Sequence, residues 1–177
     1  VHVRHDLREI WMYYHGQMSN GQQLTKLARS SDGLNFNAEP GYLGNNYFRV
    51  FEHEGAWYAL SHPGGTINQS PDGISFEQGP PIGEESTRHT AVRRTGPSSL
   101  QVLWSRFGDT PEHILVSDVD LADDWRQWRF ANTRTVRKPA FNWEGADLPV
   151  KASRAGFARG ELHELRDPGV YEEDGVT

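Results

Sequence analysis

The sequence contains no cysteine, which excludes disulfides, thiolate catalysis and cysteine-based zinc sites without fixing a compartment. Basic residues are in deficit: 18 Lys and Arg stand against 24 Asp and Glu, a formal net charge of −6. Phosphate backbones require a basic face, so this balance argues against nucleic acid as a partner. No apolar run approaches the roughly 20 residues needed to span a bilayer, and no stretch reads as a signal peptide. A membrane partner is not expected, and localisation stays open. Helical periodicity is nearly missing as well. Only 118–128 is a candidate, and its Asp and Trp content reads better as loop and strand.

What is present is turn residues and aromatics. Eighteen glycines and ten prolines punctuate 177 residues, and aromatics reach 11% with six Trp and six Tyr. That mixture favours strands joined by many tight turns. Self-similarity gives the turns a period. Ser30-Ser31-Asp32-Gly33-Leu34-Asn35-Phe36 recurs as Ser70-Pro71-Asp72-Gly73-Ile74-Ser75-Phe76, an offset of 40 residues. A four-stranded propeller blade spans about 40–45. Asp-Gly between two strand-like runs is a strong hairpin signal, because Gly tolerates positive φ. A more divergent third copy is His113 to Ser117, followed by Trp125, Trp128 and Phe130.

Aromatic-rich strands precede each copy at Ile10 to Tyr14, Ala56 to Leu60 and Leu100 to Trp104. Before the last two lie Phe48 to Phe51 and Thr90 to Val92. The unit reads strand, tight turn, strand, loop, strand, Asp-Gly turn, strand. The expected fold is therefore all-β, a β-propeller fragment of four-stranded blades. Residues 1–40 end one blade with its last three strands, and 41–80 and 81–131 are blades. Residues 132–165 form a long inter-blade loop, and 166–177 start the next blade at Val170-Tyr171. The chain opens at Val1, and Asp174-Gly175-Val176-Thr177 reads as a hairpin turn entering its second strand, so both ends are expected to fall inside blades. The competing architecture is a β-sandwich with hairpins at short spacing, which does not predict a 40-residue period.

In a propeller the innermost strands start at one face, to which each second strand returns. Counting back eight residues from Gly55, Gly96 and Gly175 reaches Tyr47, Arg88 and Asp167. Behind them stand Phe48, His89 and Pro168, and near the second-strand ends stand His15, Ser61-His62 and Ser105-Arg106. The expected mouth is thus lined by Tyr, Arg, His and Asp. Loops longer than about 12–15 residues in a compact domain are usually functional or disordered. The long loop carries Trp143-Glu144-Gly145-Ala146-Asp147 and Glu161, and leads into Leu165-Arg166-Asp167-Pro168. Glycoside hydrolysis needs two carboxyls, about 5–5.5 Å apart for retention and wider for inversion. Trp143 or Tyr47 would give a sugar ring an apolar face.

Arg166-Asp167-Pro168 at an innermost-strand start, with the Ser-Pro-Asp-Gly-x-x-Phe turn, resembles the arabinanase/levansucrase/invertase superfamily of five-bladed propellers. The run Trp143 to Pro149, with Leu165 to Pro168 and Glu172 to Gly175, resembles an uncharacterised bacterial branch of it. The resemblance implies a glycoside hydrolase, acting on a carbohydrate or other small polar ligand at the channel mouth. It gives Asp167 the role of stabilising the transition state and tuning the acid. The superfamily's first-blade Asp, its nucleophile or base, has no counterpart here and is expected upstream of Val1. Glu144 and Glu161 are the candidate acids; no motif decides between them. The substrate-binding set is Tyr47, Arg88, His89, His62, Arg106, Trp143, Asp147 and Arg166. On this reading the fragment lacks part of its own site and is inactive alone.

Structural readings stand beside these. Asp167 also suits a strand-entry cap before proline. Asp32 and Asp72 resemble sialidase Asp boxes, yet such residues form turns on the outer part of a blade. His89, beside Arg88, fits a mouth residue better than a core histidine. His2-x-x-His5 lacks a third ligand, and Glu172-Glu173-Asp174 reads as a solvated tip. No cofactor is called for; a structural Ca²⁺ would suit an oxygen-rich channel, but no residue pattern points to one. Two other functions remain open. One is a non-catalytic sugar-binding or scaffolding propeller. The other is a sialidase-like enzyme using Arg49, Arg88, Arg106 and Arg166 as carboxylate clamps.

Overall fold

A computed structural model describes residues 1–122, 124–156 and 158–172. The chain is all-β, and among the described residues its sole helical segments are two 3₁₀ turns. Among the described residues no helix is long and apolar enough to cross a membrane. It divides into two compact units, residues 1–62 with 66–80, and 63–65 with 81–177.

The first unit holds two antiparallel sheets. One runs β1 (His2–Arg4), β2 (Glu9–Gln17), β3 (Gln23–Ser30) and β4 (Asn37–Ala38), with β5 (Gly44–Asn45) also pairing β3. The other is a meander of β6 (Arg49–His53), β7 (Ala56–Ser61), β8 (Thr66–Ser70) and β9 (Glu77–Pro81). Alternation along the strands sends Trp11, Leu27, Trp57, Leu60 and Ile67 into the core. Trp11 stacks on Trp57 with centroids 5.8 Å apart, and the Arg4 guanidinium covers both rings at 4.5 and 5.1 Å.

The repeated turn is built twice from the same bonds. Ser30 Oγ accepts the N–H of Gly33 at 2.8 Å and donates to Asp32 Oδ1 at 2.9 Å. Asp32 Oδ1 accepts the N–H groups of Leu34 and Asn35, both at 2.8 Å. In the second copy Ser70 Oγ accepts from Gly73 at 3.0 Å, and Asp72 Oδ1 accepts from Ile74 and Ser75 at 2.8 and 2.7 Å. Short side-chain acceptors that mimic backbone turns explain why Ser and Asp recur at this spacing. The Ser75 N–H, with those of its neighbours, pulls the Asp72 pKa down to about 2.

The second unit holds the meander β10 (Thr87–Gly96), β11 (Ser99–Arg106), β12 (Ile114–Asp120) and β13 (Ala131–Arg137). Here the Asp-Gly turn is replaced by a 3₁₀ turn, Trp125–Gln127, capped by Asp124. Its Trp125 and Trp128 are buried, and Trp128 Nε1 donates to the Ala122 carbonyl at 2.8 Å.

These four-stranded antiparallel sheets are consistent with a propeller-like fragment, and three details differ from the sequence expectation. The first sheet has a short opening strand, β1, so it carries four strands in its meander rather than three. Strand β13 extends to Arg137, which shortens the connection that follows it to 138–165. No strand is present among residues 166–172, and the strand expected to pair with Val170-Tyr171 falls outside the described residues. The hairpin expected at Asp174-Gly175 lies outside the described residues.

Two glycines test the turn chemistry. Gly55 and Gly73 both have φ of +77°, but a Cβ on Gly55 meets open space, whereas one on Gly73 lies 2.9 Å from Trp57 Cδ2. Gly55→Ala should cost about 1 kcal/mol, the left-handed penalty alone. Gly73→Ala should cost about 2–4 kcal/mol, because the Trp11–Trp57 stack must also shift. Urea unfolding of the two variants checks the difference.

Candidate functional site

The N-terminal end of β10 is irregular. Thr87 pairs with Arg106 and Thr90 with Trp104, so Arg88 and His89 together oppose Ser105 in a β-bulge. Bulges re-aim side chains. Arg88 turns inward onto Glu112, which is 0% exposed. Their contact is bidentate, with Nε to Oε1 at 2.7 Å and Nη2 to Oε2 at 3.2 Å. The Ser105 hydroxyl donates to the same Oε1 at 2.6 Å. Arg166 Nε approaches Oε2 at 3.4 Å, and Arg166 also pairs with the largely buried Glu164. Two guanidiniums and two carboxylates thus form a charge-balanced cluster, the arrangement that a buried charge requires.

The cluster ties separate pieces of chain together. The Leu165 N–H donates to the Glu112 carbonyl at 3.0 Å. Arg88 donates to the carbonyls of Gly156, at 3.1 Å, and Arg154. The Arg-Asp-Pro segment is therefore held by side chain and backbone at once. Beside it Asp167 contacts His89 Nδ1, and Asp167 has φ of +53°. Left-handed backbone in a non-glycine residue costs energy and tends to persist where function needs it.

In the first unit Tyr47, the position equated with Asp167 by counting, also has positive φ, at +63°. Its ring lies 4.2 Å from that of His15 and 6.3 Å from that of His62. Burial, then the charge of Arg49, lowers the His15 pKa and keeps the imidazole neutral at pH 7. Each of the three positions reached by counting carries a backbone irregularity, left-handed at Tyr47 and Asp167 and bulged at Arg88.

The long loop brings its expected residues together, but with different duties. Glu144 closes a 3₁₀ turn, Asn142–Glu144, and its carboxylate is 3% exposed. It accepts the N–H of Ala140 at 2.8 Å and of Phe141 at 3.2 Å, and both Arg137 donors at 3.0 and 2.7 Å. Burial alone would raise its pKa, but these donors outweigh burial and lower it. A general acid needs the opposite shift, so Glu144 fits loop closure rather than proton donation. Gly145 is fixed by proximity, because a Cβ there would collide with the Leu162 carbonyl. Trp143, Asp147, Glu161 and Glu164 line one cavity of about 450 Å³.

Arg106 does not join Arg88 and Arg166. It binds Glu84 at 2.8 and 2.6 Å and lies over the Trp104 ring. Arg88, Arg106 and Arg166 are thus each committed to a protein carboxylate, which disfavours a sialidase clamp. Among the described residues no cluster of three or more His, Asp or Glu is placed to hold a metal ion. Glu112 and Glu164 were not singled out in the sequence. The usable signal was Arg88 itself: a guanidinium entering a buried strand needs a carboxylate, and Glu112 stands just before β12.

No family model matches the chain. In sequence it is similar to an uncharacterised protein of Acanthamoeba polyphaga mimivirus, 29% identical over 194 aligned residues, which cover 99% of this chain and 54% of that protein. The chain thus spans about half the length of that relative. In structure it is similar to the β-1,2-mannobiose phosphorylase of Listeria innocua, solved as its β-1,2-mannobiose complex. The TM-score is 0.51 at 14% identity, over 67% of this chain and 37% of that one. That likeness is one of fold.

Two predictions follow the geometry of the charges. Glu112→Gln strands two guanidiniums and should cost about 3–5 kcal/mol, whereas Glu84→Gln, at an exposed pair, should stay within about 1 kcal/mol; chemical denaturation distinguishes them. The folded pKa of Glu144 is depressed, so its contribution to stability is full above its unfolded value of about 4.3. It is lost as pH falls through the lower folded value. The Trp143 indole NMR signal should therefore change on acidification, and Glu144→Gln should abolish that transition.

Proposed function

We propose that the chain is part of a five-bladed β-propeller of the glycoside hydrolase type and that it recognises carbohydrate at the mouth end of its innermost strands. The observation that carries this reading is the Arg-Asp-Pro entry. Asp167 sits in left-handed backbone against His89, and the Arg88–Glu112–Arg166 cluster holds the segment beside it. A site group supported by a buried, charge-paired shell is preorganised for its ligand. The fold likeness to a phosphorylase bound to mannobiose supports a sugar as the ligand class. In this reading Asp167 orients a sugar hydroxyl or the acid that protonates the leaving oxygen, and His89 sets the carboxylate's direction.

A second reading, binding without hydrolysis, is favoured by one observation. Glu144 is spent on its own loop, which leaves Glu161, exposed on the cavity wall, as the remaining candidate acid.

Titration of the chain with neutral oligosaccharides, β-1,2-mannobiose among them, tests the shared claim. Saccharide should shift the amide signals of His89 and Asp167, and Asp167→Asn should weaken binding at least about tenfold, one well-oriented charged hydrogen bond, with Tm unchanged. Equal affinity in the variant contradicts the assignment. Release of reducing sugar, or its absence, separates the hydrolase from the binder.

A further inference from the structure

The long loop that precedes the Arg-Asp-Pro segment holds an aromatic pair that the Asp167 reading does not use. Trp143 is 79% exposed and Phe141 is 50% exposed, yet the two rings are stacked, 5.3 Å between centroids and 12° between planes. The Arg137 guanidinium lies over Phe141 at 5.2 Å, and Glu144 fixes the backbone beneath by taking the N–H groups of Ala140 and Phe141. Two large aromatics held in register on an exposed turn bury little of their own surface. The loop maintains them through the buried Glu144 carboxylate. Phe141 covers one face of the indole and leaves the other open.

Trp143 also lines the cavity of about 450 Å³, together with Asp147, Glu161 and Glu164. That volume falls within the range of small-ligand sites, roughly 300–1,000 Å³. Its described lining contains no lysine or arginine. Ionised carboxylates are acceptors only, so the cavity offers an apolar ring face beside groups that accept hydroxyl protons. A pyranose matches both, with axial C–H groups on its face and hydroxyl donors around its rim. An anionic sugar is repelled, since no cation answers it there.

We propose that this loop is a distinct subsite for one neutral sugar residue, with Trp143 as the stacking platform and Asp147 as the hydroxyl acceptor. The proposal rests on the carbohydrate reading above and extends it from a single sugar at the strand entry to a longer neutral glycan.

The test is NMR titration of the chain with cellotetraose and mannotetraose, with a tetrameric uronate as the anionic control and tetralysine as the cationic one. A neutral tetrasaccharide should shift the Trp143 indole signal, and the shift should persist in Asp167→Asn. Trp143→Ala should weaken neutral binding about tenfold, Trp143→Phe should retain most of it, and the uronate should not bind the loop. Neutral binding that is sensitive to Asp167→Asn but indifferent to Trp143→Ala overturns the subsite and leaves the strand-entry reading standing. Absence of any saccharide response overturns both. A Trp143 response to tetralysine alone overturns the subsite in favour of a basic peptide.

Discussion

A buried carboxylate cannot be left alone, and the second unit is arranged around that constraint. Glu112 is fully enclosed and ionised partners reach it from two directions, Arg88 from the β10 bulge and Arg166 from the segment after the long loop. Because neither guanidinium is replaceable by water at that depth, the cluster sets where residues 164–167 run. The bulge, the loop anchored through the carbonyls of Arg154 and Gly156, and the left-handed Asp167 all surround this one group. Such a cluster adds little net stability compared with an apolar core, but it specifies one arrangement.

The sheets were legible in the sequence because their signals are local. The Ser-x-Asp-Gly turns depend on side chains reaching amides two or three residues away, so a 40-residue repeat of those letters maps onto a repeat of bonds. The inner- and middle-strand runs were read within a few residues for the same reason. What failed was long-range or marginal. The β1 strand has three residues, too short a run for alternation to announce it.

The site was legible by residue type and less so by role. Counting from the hairpin glycines singled out Tyr47, Arg88 and Asp167, and each coincides with a backbone irregularity. Glu112 escaped notice because its partners lie 24 and 54 positions away in the sequence. Glu144 looked like a proton donor because a sequence displays a carboxylate without its surroundings. Four converging N–H donors hold that carboxylate and lower its pKa. Trp143 is the reverse case: its exposure marks it as available in a chain whose other tryptophans are core.

The central claim is that Glu112 fixes the Arg-Asp-Pro segment to the β10–β13 sheet. Amide hydrogen exchange at Leu165, whose N–H donates to the Glu112 carbonyl, tests it most directly. The account predicts protection comparable to that of amides in β11 and β12, since opening that bond requires breaking the cluster. Exchange at Leu165 as fast as at the exposed Gly160 would contradict it.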